Sequence, residues 1–204
     1  MTRVRRRAPK QERSQATVDH VLVATARLLE NEGLHALTTN RIARVAGVSV
    51  GSLYQYFPSK EAIVEALQER HFHEMGRPFL ERMEALTRAP LPQFVEGLAE
   101  LMRTSELLNS RLSRLLLAFP RRGKPEAVKH LESRCAELLH GYLVRLSPSA
   151  DADSLRIPAF LVVQTVEALI LGVSQTRPAG LNRERFTQEL ANLVVRYLAP
   201  LLGG

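Results

Sequence analysis

Apolar residues recur at three- and four-residue spacing along the whole chain, and no stretch sustains period-two alternation, so the pattern predicts an all-α fold. The first apolar face, Val18, Val21, Leu22, Thr25, Leu28 and Leu29, predicts a helix from about Ser14 to Asn31, with Gly33 as a left-handed stop. Glycines and prolines then mark breaks at Gly47, Pro58, Gly76 to Pro78, Pro90 to Pro92, Pro120 to Pro125, Pro148 and Pro178 to Gly180. About nine helices result. The run from Ile157 to Val173 is apolar almost all round, yet it is short for a membrane span and carries Gln164, Thr165 and Glu167. It reads as a buried helix needing partners on more than one side. The last helix puts Phe186, Leu190, Leu193, Val194 and Tyr197 on one stripe, with Arg183, Glu189 and Arg196 elsewhere, so it covers one face only.

Composition narrows the picture. A chain of 204 residues can bury a core without disulfides, and its single cysteine, Cys135, allows neither an internal bridge nor a structural zinc site. A reducing cytoplasm is the expected compartment. The formal charge is +7, and ten basic residues against four acids among the first sixty put nearly all of that excess at the N-terminus. The opening MTRVRRRAPKQER leads into no apolar core, so it is not a secretory signal. A basic tail of this kind fits RNA, DNA or an anionic membrane, and a motif has to decide among them. The expected division is a basic disordered arm over 1–12, a helix-turn-helix domain over 13–75 and a second helical domain over 76–204.

The deciding stretch is Leu37 to Leu67, LTTNRIARVAGVSVGSLYQYFPSKEAIVEAL. Thr39 is expected to cap a helix with Ile42, Ala43 and Ala46 inward, and small Ala43 permits close approach of the next helix. Gly47-Val48-Ser49 has the make-up of a three-residue turn: a glycine for a positive backbone angle, a valine to plug the corner, a serine to cap. Leu53 and Phe57, four apart, point inward, which leaves Val50, Gly51, Ser52, Gln55 and Tyr56 mainly outward; Tyr54 is half core. Pro58 ends that helix and Ser59 caps another beginning Lys60-Glu61. A helix so exposed can enter a major groove, where Ser52 and Gln55 meet base edges and glutamine favours adenine. Thr39, Tyr54, Tyr56 and Lys60 have the reach for flanking phosphates, and Gly51 lets the backbone approach closely.

These residues resemble the DNA-binding domain of the TetR family, the tetracycline-repressor-like regulators. TTNRIARVAGVSVGSLYQYFPSKEAI keeps the family's threonine before helix two, the Ile-Ala pair, the Gly-Val-Ser turn, a small pair before Leu-Tyr, the Tyr-Phe ending and the Lys-Glu start of helix four. The resemblance implies operator contacts from Thr39, Ser49, Val50, Gly51, Ser52, Tyr54, Gln55, Tyr56 and Lys60. Val50 departs from the more usual polar or basic residue there, which leaves a thymine-methyl contact as its natural role. The resemblance further implies an N-terminal three-helix DNA-binding domain followed by a helical effector-binding and dimerisation domain. The last two helices then pair with their copies in a homodimer through Val162, Val166, Leu169, Ile170, Val173, Phe186, Leu190, Leu193, Val194 and Tyr197. Completing the monomer core is the other reading of those two helices. For an effector pocket, Met102, Leu116, Phe119, Cys135, Leu138, Tyr142, Phe160 and Gln164 supply apolar walls with a few polar groups, although each also fits ordinary packing. The implied function is a transcriptional repressor released from a palindromic operator by a small, mainly apolar effector.

Rival classes find less support. No enzymatic nucleophile, phosphate-binding glycine loop or zinc-protease pair is visible, and no cofactor is implied. His71 and His73 lie two apart on a helix and face different ways, which does not suit a metal. Arg121-Arg122-Gly123-Lys124 reads as a solvated basic turn. The basic arm fits a grip on the minor groove or on phosphates as well as it fits a solvated tail. A ligand-independent DNA-binding protein, regulatory or architectural, stays open: a packed middle domain favours it, and a sizeable cavity favours an effector.

Overall fold

The computed structural model describes residues 9–119, 123–176 and 180–202. The arm as far as residue 8, and the expected breaks at 120–122 and 177–179, lie outside the described residues. Among the described residues there are ten α-helices, two short 3-10 turns and no strand. The helices are α1 (Pro9–Glu32), α2 (Thr39–Ala46), α3 (Val50–Tyr56), α4 (Lys60–Leu86), α5 (Leu91–Thr104), α6 (Glu106–Asn109), α7 (Arg111–Ala118), α8 (Glu126–Leu146), α9 (Arg156–Thr176) and α10 (Arg183–Leu202). The chain divides into two units between Gln68 and Glu69, within α4. No helix among the described residues is long and apolar enough to cross a membrane.

In the first unit α1 packs on α2, and α2 on α3. The face read from sequence does turn inward, with Val21, Leu22, Leu28 and Leu29 all buried. Thr25 is buried with them because its hydroxyl donates to the Val21 carbonyl at 2.8 Å, which satisfies it inside the helix. α1 starts at Pro9, earlier than the apolar face suggests. Its end differs too, since Gly33 pairs a positive φ of 81° with an extended ψ of −175° in place of a left-handed helical stop.

In the second unit α8 and α9 pack together, α5 lies on α10, and α7 lies on α9. Their core gathers Phe94, Leu101, Leu139, Tyr142, Leu143, Leu155 and Leu198. Phe94 and Tyr142 stack with ring centres 4.1 Å apart. Two expectations about breaks are corrected. Gly76 and Pro78 do not interrupt α4: Glu74, whose carbonyl loses its partner at Pro78, and Pro78 itself are exposed, where water can replace the missing amide. Conversely, 91–119 reads as one apolar stretch but is cut at Ser105 and Ser110. There the Ser110 hydroxyl caps α7 by accepting the Ser113 amide at 3.0 Å.

α8 begins without a side-chain cap of its own, because Pro125 stands at its N-cap. Glu69 on α4 supplies one from a distance, its carboxylate accepting the Glu126 and Ala127 amides at 2.6 and 2.9 Å. Glu69→Ala is expected to lower stability by about 1 kcal/mol, the usual worth of an N-cap, with Glu69→Gln retaining part of it. Urea denaturation of the three chains reads the order.

Candidate nucleic-acid interface and interior cavity

The helix-turn-helix is built by three local devices. α2 is capped one residue earlier than the sequence suggested: Thr38 has the extended backbone of a cap, and its hydroxyl accepts the Arg41 amide at 3.3 Å. Thr39 becomes the first helical residue, and its hydroxyl instead meets the Tyr54 hydroxyl at 3.3 Å. α2 ends on Gly47 in the left-handed region (φ 69°, ψ 28°), a conformation that costs any residue with a Cβ, and the Val48 amide returns to the Ala43 carbonyl at 3.0 Å. Ser49 then caps α3, accepting the Ser52 amide at 3.0 Å while the two hydroxyls share a 2.8 Å hydrogen bond. Ser59 caps α4 by accepting the Ala62 amide at 3.2 Å.

The turn leaves α3 with a sharply divided surface. Leu53 is fully buried and Phe57 nearly so, against Ile42 and Ala43, which are buried on α2. On the other side Val50, Gly51, Tyr54, Gln55 and Tyr56 are exposed, Tyr54 at 51 %, and Ser52 and Lys60 are half-buried. One side of a seven-residue helix thus offers an amide, phenols, a hydroxyl and a methyl-bearing surface, with the amino-terminal end of the helix dipole beside them. Not every nearby cation belongs to that surface: Arg41 is held by both carboxylate oxygens of Glu32 at 2.6 Å.

The second unit contains a partly open cavity of about 140 Å³, walled by side chains from α4, α5, α8 and α9 among others. Of the residues expected at an effector pocket, Met102 and Cys135 are on its wall. Burial pushes the Cys135 thiol up to about 12, so it stays protonated and behaves as a small apolar group. The others are placed elsewhere. Leu116 is fully buried, Phe119 is half-buried, Leu138 lines a separate groove beside α4, and Tyr142 is committed to its stack on Phe94. Phe160 is 54 % exposed, and Gln164 donates to Glu132 Oε2 at 3.4 Å.

Sequence reasoning missed an ion cluster beside this cavity. Glu132 on α8 and Glu167 on α9 both line it, and each binds the Lys124 ammonium, Glu132 Oε1 at 2.7 Å and Glu167 Oε2 at 2.6 Å. Lys124 is therefore no solvated turn residue. Burial alone would lower its pKa, but the hydrogen bonds it donates to Glu132 and Glu167, with their charges, outweigh burial and raise it. Burial raises the Glu167 carboxyl, with Lys124 opposing that rise. The one available signal was an acid inside the apolar run from Ile157 to Val173; nothing in the pattern marks Glu132. His71 likewise has a structural partner, its Nε2 lying 2.7 Å from the Ser113 hydroxyl, and burial followed by the charge of Arg70 lowers its pKa to about 4.

Comparison with known proteins decides the family. Residues 21–67 match the family described as bacterial regulatory proteins of the tetR family, and residues 90–198, over half of the chain, match the tetracyclin repressor-like C-terminal domain. The chain belongs to the TetR family. That family is one of bacterial regulatory proteins. Over part of its length the chain is similar to the nucleoid occlusion factor SlmA of Aliivibrio fischeri: 37 % identity over 78 residues spans 36 % of this chain and 40 % of that protein. The match thus covers less than half of the curated relative's length. Among solved structures, a TetR-family regulator from Streptomyces coelicolor is 25 % identical, covering 91 % of this chain and 99 % of its own, with a TM-score of 0.53. Another from Mesorhizobium loti has the same fold at 16 % identity and a TM-score of 0.66, covering 92 % and 98 % of the two chains.

In this TetR-family chain the last two helices sort the residues expected at a dimer interface. Val162, Leu190 and Val194 are 7 %, 3 % and 1 % exposed within their own chain and have no area left to give a second one. Val166 and Ile170 look onto the cavity, and Val173 and Phe186 are half-buried. Leu169, Leu193 and Tyr197 are exposed, as are Ile157, Phe160 and Leu161 on α9.

Proposed function

We propose that this protein is a cytoplasmic homodimeric repressor that holds a palindromic operator through α3 and leaves it when a small, mainly apolar molecule fills the cavity of the second unit. The observation that carries the reading is the division of α3, with Leu53 and Phe57 inward and Gln55, Tyr56, Gly51 and Val50 outward. Gln55 and Ser52 are the base-reading groups, Val50 meets a thymine methyl, and Gly51 admits the backbone. Thr39, Ser49, Tyr54, Tyr56 and Lys60 hold phosphates. A hydrogen bond such as that between Thr39 and Tyr54 keeps one phenol oriented before DNA arrives.

Dimerisation is supported by the exposed apolar residues on α9 and α10, because Leu169, Leu193, Tyr197 and Phe160 are large side chains left to solvent on neighbouring helices. An effector is supported by the cavity, whose apolar wall is what a small-molecule site requires and what a ligand-independent DNA-binding protein does not. Its volume of about 140 Å³ suits a molecule near the size of benzene. Release follows if the filled cavity favours a dimer whose α3 helices no longer match major grooves about 34 Å apart.

Selection of bound sequences from random duplex DNA, with the stoichiometry of the winning complex, tests the reading. A palindromic winner bound by an even number of chains is expected. Gln55→Ala and Tyr56→Ala are each expected to weaken that complex about ten- to hundredfold, as loss of one good base or phosphate contact does. Binding without sequence enrichment that tracks salt alone would make the protein a non-specific DNA binder.

A further inference from the structure

The cavity offers a ligand almost nothing to hydrogen-bond, because its surface is almost wholly apolar. Two acids contribute to the wall, Glu132 and Glu167, but their oxygens are engaged elsewhere. Glu132 sets Oε1 on the Lys124 ammonium and Oε2 at 3.4 Å from the Gln164 amide; Glu167 sets Oε2 on Lys124, and its Oε1 is buried. The wall therefore takes hydrocarbon from both. Cys135 adds a thiol that burial holds protonated, a weak donor at best. Every other side chain on the wall is a hydrocarbon or a thioether.

We infer that the effector is a neutral arene with no hydrogen-bonding substituent: one benzene ring, bare or carrying an alkyl group or a halogen. This rests on the reading of the cavity as the effector site. A hydroxyl, amine or carboxyl on the ligand leaves its water partners and finds none here, which weakens binding about hundredfold for a hydroxyl and more for a charged group. The volume of about 140 Å³ suits a single ring, and a rigid ring freezes no internal rotation on entering, whereas an alkyl chain of that volume does. The wall also carries Phe72 and Phe79 together with the sulfur atoms of Met83, Met102 and Cys135. Such groups attract an aromatic ring beyond the area they bury with it.

The test measures toluene, phenol and cyclohexane on the full chain by calorimetry, with operator affinity alongside. Phenol puts a hydroxyl where toluene has a methyl, so shape is nearly constant and hydrogen bonding changes. The wild type is expected to bind toluene about hundredfold tighter than phenol. Cyclohexane leaves water more readily than toluene does, yet toluene is expected to bind at least as tightly, because the phenyl and sulfur groups of the wall favour it. Cys135→Ser sets a stronger hydrogen-bonding group on the wall in nearly the same space, and is expected to narrow the gap between toluene and phenol about tenfold. A gain in phenol binding cannot come from misfolding. Phenol within about threefold of toluene, cyclohexane as the tighter ligand, a gap that Cys135→Ser leaves untouched, or no binding of any probe overturns the proposal; only the third needs a variant. The operator measurement separates the two levels. If phenol and toluene bind alike and both release DNA, the cavity remains the effector site and the arene assignment falls. If toluene binds with the expected preference and operator affinity is unchanged, the arene site stands and the cavity loses its regulatory role.

Discussion

Leu53→Ala is expected to cost the DNA-binding unit about 3 kcal/mol and to abolish operator binding, because a seven-residue helix has almost nothing else to hold it. A helix of that length is far below what is stable alone in water, so α3 exists through its tertiary contacts. Leu53 is its one fully buried side chain, and the others are exposed or half-buried. The Ser49 cap contributes about 1 kcal/mol, too little to hold the helix by itself. The loss should therefore exceed that of Ser49→Ala and differ in kind from that of Gln55→Ala, which removes a reading group and leaves the helix intact. Urea denaturation and operator titration together separate the cases. Leu53→Ala should lower both midpoint and affinity, Gln55→Ala affinity alone. An unchanged urea midpoint for Leu53→Ala would show that α3 is held by something other than its inward face.

That dependence explains why the first unit was so legible. Where a short helix relies on a few inward side chains, a left-handed glycine and a serine cap, each requirement leaves its own residue type at a fixed spacing. Leu53 and Phe57, Gly47, and Ser49 and Ser59 could be read directly in this way. The error of one position at Thr38 and Thr39 arose because two adjacent threonines meet the same chemical requirement, and only the backbone angle tells them apart. The second unit was legible as helices but not as a site. Periodicity says which side of a helix turns inward, not whether that side meets a neighbour or an empty space. Met102 and Leu116 look alike in sequence and differ in structure, one on the cavity wall and the other in solid packing. Phe160 and Val162 were misplaced for a related reason. A helix apolar all round carries no pattern that says which side stays with its own chain, and the structure leaves Phe160 outside and Val162 inside. Lys124, Glu132 and Glu167 are separated by 8 and 35 residues along the chain, so only the packing of α8 on α9 brings them together.

The Lys124 cluster carries the other large expected effect. Lys124→Met keeps the length and apolar stem of the side chain and removes only the charge, leaving Glu132 and Glu167 facing each other without a cation. Breaking a fully buried pair in this way costs about 3–5 kcal/mol, and because Lys124 is still 29 % exposed the expected loss near neutral pH is about 2 kcal/mol. Its pH dependence distinguishes charge from packing. The Lys124 pKa is raised, so its own titration weakens the cluster only above its ordinary 10.5, and at lower pH the ammonium's contribution is set by the ionisation of the acids it meets. Glu167 works in the opposite sense: its pKa lies above the ordinary 4.5 in the folded chain, so the folded form holds its proton longer and stability falls as pH rises from about 4.5 to the raised value. Removing Lys124 removes the group that pulls the Glu167 pKa down, which widens that window. The deficit of Lys124→Met relative to the wild type is thus expected to be small near pH 4, where Glu167 is protonated in both, and to grow towards neutrality. Urea denaturation of both chains at about pH 4, 5.5 and 7 measures it. A deficit equal at all three would mean that the protonation of Glu167 does not govern what the Lys124 ammonium contributes to the fold.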